Sequence, residues 1–211
     1  MLLVLKNKQM LRLKILLLIA FGIFPAFGFV GSNMAYPIKW VLTNECTLKV
    51  NGSTNINKFS CVIPEYTKPD TLIFYKEQKN EPVKMSGSMA LDVQNFDCHN
   101  PVMTSDLRKT LKVKIYPKII IRFLSLNRYP DPNKKTDLIK GMVTIELAGT
   151  IRRYEVDYKY TAKENDNLNL IGTRQVKFSD FNINPPRKLG GMIKTDDELN
   201  VEFILNARIL N

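Results

Sequence analysis

Few side chains in this sequence have the type and spacing that catalysis or metal binding requires. The single histidine, His99, follows Cys98, and neighbouring residues of a strand point to opposite faces of a sheet. The chain has no Cys-x-x-Cys pair and no second histidine with which to build a zinc site. The tightest carboxylate cluster, Asp196-Asp197-Glu198, lies just before a strand, where a charged turn is expected. We therefore expect a protein that is not an enzyme and that holds no cofactor or metal.

The net charge of +11 raises nucleic acid or an anionic surface as a partner. Part of this charge lies at the amino terminus, where four basic residues precede an apolar run over 15–24, Pro25 and small residues ending at Gly28. This order predicts a cleaved secretory signal peptide over residues 1–28, with Ala35 as an alternative end. Ten apolar residues are too few to span a bilayer of about 30 Å, so an uncleaved anchor is the weaker alternative. Cleavage lowers the net charge to +7 and predicts export of the mature protein to a periplasm or to the outside of the cell.

The remaining basic residues do not form a nucleic-acid site. No recognition helix and no strand that combines aromatic with basic residues accompanies them, so nucleic acid is not an expected partner. Lysines at 109, 112, 114 and 118 lie close together in the chain. Such a run is usually a solvated face, and peripheral contact with an anionic membrane surface is the alternative.

The three cysteines agree with export to an oxidising compartment. Cys46, Cys61 and Cys98 allow three different single pairings, and their spacing does not choose among them. One thiol is left free or pairs between chains, which leaves a homodimer open.

Alternation with a period of two dominates the chain after Trp40. The segments 85–93, 141–147 and 199–209 each place apolar residues on one face and mostly polar residues on the other, as half-buried strands do. One convincing helical piece covers 105–111, with Thr104 or Ser105 available as its N-cap.

With so little helix, the apolar faces of the strands must cover one another. At least seven antiparallel strands of this kind must close into a barrel or pair as a sandwich. Consecutive hairpins over 139–178 favour up-and-down connectivity. The sequence thus predicts an all-β, antiparallel, up-and-down β-barrel of about eight strands with one short helix.

Several phrases along the chain resemble the YceI-like family, whose members are lipocalin-like extended barrels of bacterial periplasms and extracellular fractions. The similar phrases are Trp40-Val41-Leu42, Gly52-Ser53-Thr54-Asn55 with its flanks over 48–61, the short helix and Tyr116-Pro117 strand over 103–123, the Gly141-to-Thr150 hairpin, Phe178-Ser179-Asp180-Phe181 and the strand over 199–207. They cover residues 40–210, and we assign the domain to residues 36–211.

This resemblance implies a protein that binds a long apolar molecule inside its barrel. The ligand class is a polyisoprenoid, an isoprenoid quinone or another lipid, held for transport, storage or stress response. The apolar faces expected to line the tunnel contain Met85, Met89, Phe123, Ile145, Val156, Tyr158, Phe178 and Phe203. Members with similar Phe-x-Cys phrases suggest a disulfide between Cys61 and Cys98.

Two further points remain open in the sequence. The same apolar stripes also fit a filled barrel without a ligand, so the alternative function is an envelope stress or protein-interaction module. Arg174 lies on the same alternation as Val176 and Phe178, but a bulge before it would turn it outward, and we expect it to point outward.

Overall fold

The computed structural model describes residues 37–75, 81–131 and 133–210. The predicted signal peptide over 1–28 lies outside the described residues. No helix in these three ranges is both long enough and apolar enough to cross a bilayer.

Twelve strands and one α-helix form the described part of the domain, together with three short 3-10 turns at Val93–Asn95, Ser179–Phe181 and Leu189–Gly191. The strands are β1 (Ile38–Leu42), β2 (Cys46–Thr54), β3 (Lys58–Tyr66), β4 (Thr71–Tyr75), β5 (Val83–Ser86), β6 (Ser88–Asp92), β7 (Lys118–Leu126), β8 (Thr136–Leu147), β9 (Thr150–Ala162), β10 (Asn167–Lys177), β11 (Arg187–Lys188) and β12 (Ile193–Leu210). The helix, α1, covers Pro101–Thr110.

The strands close into an antiparallel barrel with eight strand positions around its wall, three of which are each occupied by two shorter strands. Strands β1 and β2 both pair with β12 and share one position. Strand β4 pairs with β1 and β3 pairs with β2, so β3 and β4 share the next position. Strands β5 and β6 share the third and pair with β7. Strands β7, β8, β9, β10 and β12 then follow as neighbours, and β12 closes the barrel on β1. The prediction of an up-and-down barrel of eight strands with one helix is confirmed.

The interruption between β5 and β6 has a local cause at Gly87. This residue has a φ of +140°, and a β-carbon there would lie 2.7 Å from the carbonyl oxygen of Thr71. Only glycine allows both the positive φ and the close approach of the neighbouring backbone. The predicted strand over 85–93 is therefore divided, although Met85 and Met89 both lie on the buried face as expected.

Helix α1 begins four residues before the predicted start. Asn100 is its N-cap and accepts a hydrogen bond from the Met103 N–H at 3.0 Å, while Pro101 occupies the first helical position. Proline is favoured there because its missing N–H would have no partner in the helix. The expected caps were wrong: Thr104 lies inside the helix and its hydroxyl accepts a hydrogen bond from the Cys98 N–H at 2.9 Å.

Candidate apolar binding site

One end of the barrel is filled by aromatic side chains. The Trp40 ring packs against Phe74 with 4.3 Å between ring centroids, and its indole N–H donates to the Tyr129 hydroxyl at 3.0 Å. Tyr160 stacks beside Trp40 at 6.3 Å. Because Trp40 and Phe74 are almost completely buried, these aromatic side chains fill the interior at this end of the barrel.

The middle of the barrel is also filled. Phe203 packs edge-on against Tyr158 at 5.6 Å and Phe123 at 6.5 Å. The rings fit because Gly141 and Gly172 have no side chains: a β-carbon at Gly141 would lie 2.6 Å from the Tyr158 ring, and one at Gly172 would clash with the Phe203 ring. Burial raises the pKa of Tyr158, so its hydroxyl stays neutral in this apolar layer.

The opposite end, beneath α1, contains a small cavity of about 70 Å³ whose wall includes both buried and partly buried side chains. Every side chain on its wall is apolar, and strands from both sides of the barrel contribute. Its lining residues are Leu48, Val50, Phe96, Leu107, Leu111, Ile119, Ile121, Ile145, Leu147, Val176, Phe178, Phe181, Leu199 and Val201. A cavity with this lining stays dry and favours hydrocarbon over water.

A solvent-open groove of about 300 Å³ lies next to this cavity. The β2–β3 hairpin, α1 and the segment before β12 form its walls. Leu107 and Phe178 line both the groove and the cavity, so these two side chains separate the interior of the barrel from the groove.

Helix α1 is fastened at several points over the cavity. The Cys61–Cys98 bond ties its leading segment to β3. Arg108 donates to the Phe96 carbonyl at 2.7 Å, and Asp106 forms an ion pair with Lys188 across the groove. Arg108 Nε, by contrast, is buried without a hydrogen-bond partner among the described residues. The helix is thus covalently held at its amino end and held by polar contacts along its length.

All eight residues expected to line a tunnel are buried, but the structure divides them between the cavity beneath α1 and the packed core. Ile145 and Phe178 line the cavity. The other six belong to the packed core and do not line it: Met85, Met89, Phe123, Val156, Tyr158 and Phe203. A role in ligand binding stays a prediction for the whole set.

Of the cavity wall, the sequence set contained only Ile145 and Phe178, and it missed most of the strand residues as well as four residues outside the strands. Leu107 and Leu111 come from α1 and its C-cap, and Phe96 and Phe181 come from or follow 3-10 turns. The spacing of four between Leu107 and Leu111 was the available signal, since it places both on one face of a helix.

The remaining cysteine and Arg174 have simple surroundings. Cys46 is buried, where desolvation raises the pKa of its thiol, and the thiol donates to the Asn206 carbonyl at 3.4 Å. Arg174 is exposed, as expected, with its guanidinium 5.7 Å from the centre of the Tyr154 ring. Neither Cys46 nor Arg174 lines the cavity beneath α1.

The carboxylates that suggested acid–base or metal chemistry each have a separate structural partner. Asp196 accepts a hydrogen bond from the Ser53 hydroxyl at 2.6 Å, and Glu198 accepts one from the Gln175 amide at 2.9 Å. Asp197 accepts from both the N–H and the hydroxyl of Ser179, and these bonds lower its pKa. No group of three potential metal-binding side chains occurs within the described residues.

Solved structures with the same fold include two bacterial proteins. BcnA of Burkholderia cenocepacia is 15% identical, with a TM-score of 0.51 over 76% of this chain and 95% of BcnA. A polyisoprenoid binding domain from Saccharophagus degradans, implicated in plant cell wall breakdown, is 10% identical, with a TM-score of 0.57 over 82% of this chain and 99% of that domain. At these identities the likeness is one of fold.

The sequence comparisons give the family. No curated protein matches the chain. The family model for the YceI-like domain matches residues 38–207, which is most of the chain and nearly all of the barrel. The chain therefore belongs to the YceI-like family.

Proposed function

We propose that this protein binds one long apolar molecule, a polyisoprenoid, an isoprenoid quinone or another lipid, at the helix-covered end of its barrel. The observation that carries the proposal is the fully apolar cavity, separated from the open groove by Leu107 and Phe178. Family membership and the polyisoprenoid binding domain of the same fold support it. In this function the protein carries, stores or senses the molecule in the bacterial envelope and catalyses no reaction on it.

Binding of a long chain requires α1 to move. The cavity of about 70 Å³ is far below the roughly 300–1,000 Å³ of ordinary ligand sites. When the Leu107 face of α1 moves outward, the cavity and the groove become one space. Each methylene that leaves water then contributes about 0.8 kcal/mol before the cost of ordering the chain.

The binding experiment compares two identical substitutions in different environments. Val201→Phe places a ring in the cavity, whereas Val41→Phe places it on the outer side of β1, between the buried residues Trp40 and Leu42. Geranylgeraniol serves as the probe, with native mass spectrometry to detect the complex and thermal unfolding to verify the fold. We expect the native chain and Val41→Phe to bind, and Val201→Phe to lose at least about tenfold in affinity as its space is filled.

A filled barrel that acts as an envelope stress or protein-interaction module is the second candidate. It is favoured by the small volume of the cavity and by the packed rings of Phe123, Tyr158 and Phe203. Native extracts without any co-purified lipid, together with no geranylgeraniol complex for the native chain, would establish this second candidate instead.

A further inference from the structure

Exposed apolar side chains cluster around the groove. Of the ten large apolar side chains that are exposed in the described residues, four surround its opening and are between 65% and 70% exposed. These four, which we call the rim, are Ile56, Val102, Leu189 and Met192. Exposed apolar side chains scattered singly are ordinary, but a group around an apolar groove marks a contact surface.

The rim is continuous in space although its residues come from three parts of the chain. Ile56 and Val102 line the groove directly, on opposite walls. The Met192 carbonyl accepts a hydrogen bond from Asn55 at 2.9 Å, which places Met192 beside the hairpin that carries Ile56. Leu189 follows Lys188, which also lines the groove.

Leu189 and Met192 lie on a short projecting turn. Gly190 and Gly191 between them have φ angles of +63° and +97°, and no atom lies within 4 Å of the position a β-carbon would take at either glycine. Leu189 itself has a φ of +50°. A leucine in the left-handed region is strained, and its side chain is also exposed, so neither its backbone conformation nor its environment is the ordinary one for leucine.

Positive charge accompanies the rim. Lys58, Arg187 and Lys194 are exposed and form no ion pair within the described ranges. Lys58 follows the turn of the β2–β3 hairpin. Arg187 and Lys194 lie opposite each other on the neighbouring strands β11 and β12. Among the described residues that line the groove, Asp106 is the one carboxylate, and Lys188 already neutralises it. The surface around the groove is therefore apolar at its centre and has cationic side chains at its edge. On one side, Lys58 also borders a pocket that contains Asp196, Asp197 and Glu198.

We propose that the rim docks on an anionic lipid bilayer. The apolar side chains enter the interface between headgroups and acyl chains, and Lys58, Arg187 and Lys194 contact lipid phosphates. A bilayer fits better than a protein partner because the projecting Leu189 and Met192 need a soft apolar phase, and the three cations need a continuous layer of negative charge. Docking turns the open groove toward the membrane, but it does not require that the cavity bind a ligand.

The first measurement follows the rim itself. The full chain carrying Met192→Cys is labelled with the environment-sensitive fluorophore NBD, which leaves the buried Cys46 and the bonded Cys61 and Cys98 unlabelled. Vesicles of phosphatidylglycerol and phosphatidylethanolamine should shift its emission to the blue, and phosphatidylcholine vesicles should not. The matched control is Leu138→Cys, on an equally exposed leucine outside the rim. Because the label reports its own surroundings, binding through the apolar run over 15–24 leaves it unchanged.

The second measurement separates the apolar and cationic contributions by vesicle flotation. Leu189→Ser with Met192→Ser should lower vesicle partitioning at least about tenfold, since both anchors lose their apolar area. Neutralising Lys58, Arg187 and Lys194 to Gln should lower it about fivefold for each charge at low salt. The control neutralises the exposed lysines at 49, 135 and 159, which removes the same charge from other surfaces.

Four outcomes overturn the proposal. The first is an unshifted Met192 label on anionic vesicles. The second is a shift that the Leu138 label shares, and the third is a shift that appears with a protein fraction and not with lipid. Loss of partitioning after neutralising the lysines at 109, 112 and 114, with the rim variants unaffected, would also overturn it and assign the contact to another face. Equal thermal unfolding of all variants verifies that each comparison is made on folded protein.

Discussion

Leu107 of α1 and Phe178, which directly follows β10, contact the cavity on one side and the solvent-open groove on the other. Phe178 is fixed in place, because its backbone N–H donates to the Asp197 carbonyl at 2.9 Å and its ring is buried. Leu107 is partly buried and lies on α1, which the Cys61–Cys98 bond holds at its amino end and polar contacts hold along its length. Because Leu107 is the less buried of the two side chains, we expect it to be the half of the barrier that moves.

Leu107→Ala should accelerate entry of an apolar ligand. The substitution removes the movable half of the barrier and joins the cavity to the groove without disturbing Phe178. We expect the association rate for a fluorescent polyene fatty acid, followed by stopped flow, to rise severalfold. Because Leu107 is only partly buried, the free energy of unfolding should fall by less than the 2–5 kcal/mol typical of a buried leucine.

Leu111→Ala is the matched control for this barrier. Leu111 lines the cavity and does not line the groove, so its removal enlarges the interior and leaves the barrier intact. The stability loss should be greater than for Leu107→Ala, since Leu111 is buried. Equal association rates for the two variants would show that Leu107 does not limit entry.

The bond between Cys61 and Cys98 should stabilise the whole domain and α1 in particular. It closes a loop with a sequence separation of 37, for which the chain-entropy model gives about 3–4 kcal/mol. Ser at both positions should lower the free energy of unfolding in urea by about this amount. Hydrogen exchange in α1 should rise more than in β8 or β9, because the bond ends three residues before the helix.

Peptide mapping supplies the direct check on this bond. Without reductant, the peptide that contains Cys61 should be linked to the one that contains Cys98, and the peptide with Cys46 should be unlinked. A link that includes Cys46 would contradict the pairing.

Alternation predicted the barrel well because each strand must bury one face whatever its neighbours are. The regular face that includes Leu199, Phe203 and Leu205 in β12 is buried as the pattern requires. The helix start was missed because the Asn100-Pro101 pair, which caps and begins α1, precedes the apolar spacing from which the helix was inferred. The division at Gly87 depends on the close approach of Thr71 in the neighbouring strand β4, and no local sequence pattern reveals such a contact.

The cavity could be predicted only in part, since it depends on which inward faces leave space. Alternation identifies Phe203 and Ile145 equally as inward residues, yet Phe203 fills the middle of the barrel while Ile145 borders the cavity. The difference arises from the rings of Phe123 and Tyr158 around Phe203 and from the lid supplied by α1. The combined volume of side chains from several strands decides where the interior is filled and where space is left, and those strands are distant in the sequence.

Gly172→Ala should show how tightly the middle of the barrel is filled. A methyl group at this position would lie 2.6 Å from Phe203 Cε2, so the Phe203 ring must move toward Tyr158. Overpacking of this kind costs about 1–3 kcal/mol in the free energy of unfolding. Adding Phe203→Leu should recover part of the loss, and a double-mutant cycle by urea unfolding measures the coupling. Strictly additive effects would mean that the two residues do not press on each other.

The pair formed by Asp137 and Arg128 should make stability depend on acid pH. Arg128 donates to both carboxylate oxygens of the buried Asp137, at 2.5 and 2.8 Å, and holds the pKa of that carboxyl well below its ordinary value of 3.8. In the unfolded chain Asp137 takes up a proton near its ordinary pKa, so the stabilisation is complete above that value and is lost as the pH falls toward the lowered pKa. Asp137→Asn should therefore lower the melting temperature by a constant amount between pH 5 and 7, and the difference from the native chain should shrink below about pH 4.

Asp157→Asn is the control, because Asp157 is exposed and its 3.4 Å pair with Lys140 is solvated, so its substitution should change the melting temperature little at any pH. A difference for Asp137→Asn that stays constant down to pH 2.5 would contradict a role for the ionised carboxylate and would assign the effect to lost packing.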